Sequence, residues 1–124
     1  MKLTNYLVGK VPTADVAAFD SPKRTAYAYF SSKDHVEMGA GVCEISVGSS
    51  NQMLAHDSHD EVIYVLTGQL KFVFPDDSVV LNPYDAIYIP KGLMHHIFNV
   101  GQDVAWHTFT FTSPVPVDNI VRMY

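Results

Sequence analysis

Histidines and an acidic residue crowd one stretch of the chain. From His56 to Gly68 it reads His-Asp-Ser-His-Asp-Glu-Val-Ile-Tyr-Val-Leu-Thr-Gly, so His56, His59 and Glu61 lie close together. A second cluster, Pro90-Lys91-Gly92-Leu93-Met94-His95-His96, arrives after further strand-like segments. Imidazole nitrogens and a carboxylate oxygen together suit a divalent transition ion. Zn, Fe, Mn, Ni and Cu all accept this mixture, and the donors do not choose among them. One ion can join both clusters only if different strands face one another across a barrel interior.

The surrounding segments have the character needed to build such a barrel. Thr25 to Phe30 is aromatic and strand-like. Val42 to Val47 alternates, with Cys43, Ile45 and Val47 on one face. Gln52 to His56 resumes briefly, and Glu61 to Thr67 is rich in β-branched and aromatic residues. Leu70 to Phe74 follows at once, so Gly68-Gln69 reads as a tight hairpin connection. Val79 to Leu81, Ala86 to Ile89, Met94 to Val100 and Val104 to Thr112 continue the pattern between turn signals. Ala14 to Phe19 is short and alanine-containing, readable as one or two helical turns. Roughly nine short strands without sustained helical periodicity predict an all-β sandwich or barrel. The whole chain, 1–124, is expected to form one domain.

Strand parity constrains the first cluster. His59, Glu61, Ile63 and Val65 share a face if the strand runs unbroken from His59. His56 has the opposite parity and reaches that face only through a bend at Asp57-Ser58.

Composition narrows the partners. The 124 residues are 48% hydrophobic and 17% charged, enough apolar material for one buried core. A net charge of −5 without a basic cluster grips phosphate poorly, so neither nucleic acid nor an anionic membrane surface is an expected partner. Cys43 is the single cysteine, which precludes an intramolecular disulfide. With no stretch approaching bilayer length and a poor signal-peptide pattern at the start, a cytoplasmic location is expected.

The spacing of both clusters resembles the cupin superfamily of small jelly-roll barrels. Its first motif runs Gly, five residues, His-x-His, three or four residues, Glu, six residues, Gly. Residues 48–68 match it at Gly48, His56, Glu61 and Gly68, with Leu54 in place of the first histidine. The second motif runs Gly, five residues, Pro-x-Gly, two residues, His, three residues, Asn. Residues 84–99 match at Pro90, Gly92, His95 and Asn99, with Tyr84 where the first glycine belongs.

The resemblance implies a double-stranded β-helix, or jelly roll, and a metal held by His56, Glu61 and His95. His59 is either a fourth ligand replacing the one lost at Leu54 or a nearby acid/base. Glu61 and His59 are the candidate proton carriers. His95 and His96 are adjacent, so only one can point inward on an extended strand, and the motif spacing selects His95. Similar small cupins include isomerases, lyases, decarboxylases and dioxygenases. A metalloenzyme acting on a small polar molecule, such as a carboxylate or sugar derivative, is thus implied. The alternative is a non-catalytic module that binds or senses a small molecule. A homodimer is expected because pairing removes exposed sheet edges, with the N-terminal strand and Ile120-Val121 as candidate contacts.

Blander roles suit the remaining residues of note. Tyr64 has opposite parity to Glu61 and is expected in core or interface. Tyr27, Tyr29, Phe72, Phe74, Tyr88 and Trp106 most simply fill the barrel and its dimer face. Cys43 reads as a small buried hydrophobe. His107 either meets a ligand inside the barrel or sits in core or surface.

Overall fold

A computed structural model describes residues 6–113 of the chain. Nine strands occur among them: β1 (Asp15–Asp20), β2 (Lys23–Phe30), β3 (Gly39–Ile45), β4 (Glu61–Thr67), β5 (Leu70–Val73), β6 (Ser78–Leu81), β7 (Ala86–Ile89), β8 (His96–Asn99) and β9 (Ala105–Phe111). Short 3-10 turns at Val11–Thr13 and Ser32–Asp34 are the helical elements of this region. The strands form two antiparallel sheets, a six-stranded one in the order β1-β2-β3-β9-β4-β7 and a three-stranded one in the order β6-β5-β8. This is the all-β jelly-roll architecture expected from the turn-separated strands.

Alternation decides what each strand buries. On β4, Glu61, Ile63 and Val65 point inward while Val62 and Tyr64 face outward. On β9, Ala105, His107, Phe109 and Phe111 are the inward set. The other sheet contributes Leu70, Phe72 and Ile97, so both sheets share one core. Burying each of these large apolar side chains stabilises the fold by about 1.5–3 kcal/mol before entropy is counted. Cys43 belongs to the same core, and burial pushes its thiol pKa far above the usual range, which leaves it unreactive.

Three local expectations are corrected. Ala14 to Phe19 is not helical: Asp15–Asp20 pairs antiparallel with β2, Ala17 opposite Ala26 and Phe19 opposite Arg24. Tertiary pairing overrides a weak alanine preference there. Gln52 to His56 is not a strand but a single bridge, Leu54 opposite His95. Gly68-Gln69 does not close a hairpin. β4 pairs with β7 and β9, whereas β5 pairs with β6 and β8, so this turn carries the chain from one sheet to the other.

Gly68 is required at that corner. Its φ is +80°, and a Cβ there would sit 2.7 Å from the Cβ of Ala105. Tyr84, in the place of the second motif's first glycine, also has a left-handed backbone (φ 76°), which explains why a glycine suits that position. Ile120 and Val121 lie outside the described residues.

Candidate metal centre

Glu61 opens β4 and points into the barrel because its strand neighbours Ile63 and Val65 do. His56 reaches the same space through a bend at Asp57-Ser58, as parity requires. His95 precedes β8 and enters from the three-stranded sheet, held by its bridge to Leu54. His56, Glu61 and His95 are 5%, 0% and 1% exposed, so their donors meet in a nearly dry site. One ligating atom from each lies within 4.8 Å of the others.

The hydrogen bonds determine which atoms face the centre. His95 Nδ1 is 2.9 Å from the carbonyl oxygen of Leu93. A carbonyl only accepts, so Nδ1 carries the proton. Burial lowers the pKa of His95, holding the ring neutral, which leaves a bare lone pair on Nε2. That lone pair lies 3.7 Å from Glu61 Oε1. Two electron-rich atoms facing each other in a buried site repel unless a cation lies between them, so this contact is not an ion pair. His56 Nε2 approaches the same Oε1 at 3.0 Å, and its Nδ1 is buried without a hydrogen-bond partner.

His59 forms the wall beside these donors. Its ring stacks on His56 at 4.7 Å and tilts against Phe111 at 4.4 Å. Nδ1 lies 3.2 Å from the Ser58 hydroxyl, while Nε2 is buried without a partner. Burial first, and the neighbouring His56 second, lower the pKa of His59. The structure therefore brings all four predicted residues to one place, with three of them converging on a common point.

His96 turns the other way and donates from Nε2 to the Asn51 carbonyl at 2.8 Å. His107 resolves to the barrel interior, fully buried, with Nδ1 donating to the Thr108 carbonyl at 2.7 Å. Phe111 was not anticipated at the site. Its parity with His107 along β9 was legible, but the pairing of Phe111 with Glu61 was not.

A cupin-domain family model matches residues 41–118, well over half of the chain and including every converging donor. The chain belongs to the cupin family. No functionally curated protein matches this cupin in sequence. Solved structures resemble its fold at low identity. KdgF from Halomonas sp. shares 17% identity, with a TM-score of 0.73 over 93% of this chain and 99% of that one. Ectoine synthase from P. lautus shares 13%, with a TM-score of 0.77 over 93% and 83%. The cupin domain of Cnp3 from Schizosaccharomyces pombe shares 16%, with a TM-score of 0.70 over 91% and 77%. At these identities the likeness is one of fold.

Proposed function

We propose that this cupin is a small metalloenzyme whose divalent ion is held by His56, Glu61 and His95. The observation that carries this reading is the convergence of three buried donors, with His95 Nε2 turned toward Glu61 Oε1 at 3.7 Å. A bound ion of this kind supplies Lewis acidity toward a carbonyl, carboxylate or enediol oxygen of a small polar substrate. Glu61 fixes the donor set from a rigid strand. His59, neutral and with an unpartnered Nε2, is suited to exchange a proton with a substrate beside the centre. One structural neighbour is by name an enzyme, ectoine synthase, which supports catalysis as a use of this fold. Isomerase, lyase, decarboxylase and dioxygenase chemistry all remain compatible with the donors.

Burial favours the alternative, a non-catalytic module that binds or senses a small molecule. The four site side chains are nearly inaccessible to solvent. Co2+ substitution separates the two readings. Ligand-field bands that shift on adding acetate reveal an open coordination position and favour the enzyme. Bands insensitive to added carboxylates favour the binding module, and absence of Co2+ uptake contradicts a metal centre altogether.

We also assign this chain a homodimeric state, in which outward-facing Tyr64, Tyr84 and Tyr88, all exposed, would find cover. Light scattering at micromolar concentration tests it, and a monomeric mass contradicts it.

A further inference from the structure

Asp60 immediately precedes Glu61 and has the opposite strand parity, so its side chain leaves the barrel. Its backbone is fixed to the end of β9: Asp60 N donates to Thr112 Oγ1 at 3.0 Å, and Thr112 N donates to the Asp60 carbonyl at 3.1 Å. Its carboxylate reaches the second motif instead. Oδ1 accepts from the backbone N–H of Lys91 at 2.8 Å, and Oδ2 accepts from the Tyr88 hydroxyl. The same turn is tied again where Gly92 N donates to the His56 carbonyl at 2.7 Å. Beyond the turn, the Leu93 carbonyl is the acceptor that selects the tautomer of His95.

These bonds form one path from the strand bearing Glu61 to the ring of His95. We propose that Asp60 is a positioning residue for the metal centre, fastening the 90–92 turn so that the Leu93 carbonyl orients His95. It touches none of the converging donor atoms and acts through the backbone. A carboxylate is apt because each of its oxygens accepts one of the two bonds, from the Lys91 amide and from the Tyr88 phenol. The two clusters lie far apart in sequence, and the covalent chain does not fix their distance. Asp60 adds a side-chain tie between them from outside the barrel, where it cannot compete for the ion.

The proposal rests on the metal reading for its affinity consequence but not for its effect on His95. Two readouts therefore keep the failures apart. In long-range 15N–1H spectra of the metal-free protein, His95 is expected to be Nδ1-protonated in wild type. It is expected to mix tautomers in Asp60→Ala and to regain the wild-type pattern in Asp60→Asn, whose Oδ1 still accepts from Lys91. In Co2+ titrations, Asp60→Ala is expected to bind roughly 10–100-fold more weakly with altered ligand-field bands, and Asp60→Asn to fall within a few-fold of wild type.

An unchanged His95 pattern in Asp60→Ala overturns the positioning role. So does equal loss in both variants accompanied by a matching fall in metal-free melting temperature, which would mark Asp60 as merely structural. A wild-type protein that takes up no Co2+ contradicts the metal reading, and the spectra of His95 then decide the positioning role by themselves.

Discussion

Leu54 stands opposite His95, joined to it by hydrogen bonds of 3.0 and 2.9 Å in both directions. Cross-strand partners share a face, so the leucine points toward the space that His95 enters. Leu54→His therefore places a new imidazole beside the existing donors. The expected outcome is metal affinity tightened by about tenfold, or about 1.4 kcal/mol, in a competition titration. An unchanged affinity would show that position 54 is too far back to ligate.

The buried histidines also set a pH dependence. Burial lowers the pKa of His107, His95 and His59, so the folded protein keeps these rings neutral. The unfolded chain takes up their protons near 6.5. Proton uptake thus favours unfolding as the pH falls. The stability they contribute is present above about 6.5 and is lost as pH drops through the lowered folded values. Melting temperatures of metal-free protein should decline from pH 7 toward pH 5, whereas a flat profile would mean that the rings are already solvated.

At the scale of elements, the corner between β4 and β5 carries the clearest mutational test. Gly68→Ala meets both a left-handed backbone and a Cβ contact of 2.7 Å with Ala105. A cost of about 1–3 kcal/mol is expected from the strained backbone, seen as a fall of roughly 5–15 °C in melting temperature. Gly48→Ala is the matched control, because its φ is also positive (+73°) but nothing lies within 4 Å of the added carbon. It should fall by less, and equal losses would remove the steric part of the explanation.

The same corner shows why some elements were readable from sequence and others were not. Glu61–Thr67 and Ala86–Ile89 were legible to the residue because dense β-branched and aromatic runs end at glycine or proline. Asp15–Asp20 carries no such density and becomes a strand through its partner β2, which local sequence does not display. Gly68-Gln69 has hairpin chemistry, but turn residues specify a change of direction and not which strand is met afterwards. The convergence of His56, Glu61 and His95 was legible through the resemblance of both clusters to the cupin motifs. The Asp60 clamp was not, since an aspartate beside a motif resembles any rim residue until its partners are seen.

Over the whole molecule, the candidate ligands belong to both sheets. Glu61 begins a strand of the larger sheet, and His95 stands next to a strand of the smaller one. An ion held by both would cross-link them around the shared core. Binding to the folded state alone raises stability with ligand concentration, by about 2.7 kcal/mol at one hundred times the dissociation constant. Added Zn2+ is therefore expected to raise the melting temperature of metal-free wild type while leaving His95→Ala unmoved.

Metal content measured on purified protein tests the centre most directly. Wild type and His95→Ala, grown in medium supplemented with Zn, Fe, Mn, Ni and Cu, would be analysed by plasma mass spectrometry. The expected result is close to one transition-metal ion per chain in wild type and almost none in the variant. A wild-type protein without metal, or a variant that retains it fully, would contradict a centre built from His56, Glu61 and His95.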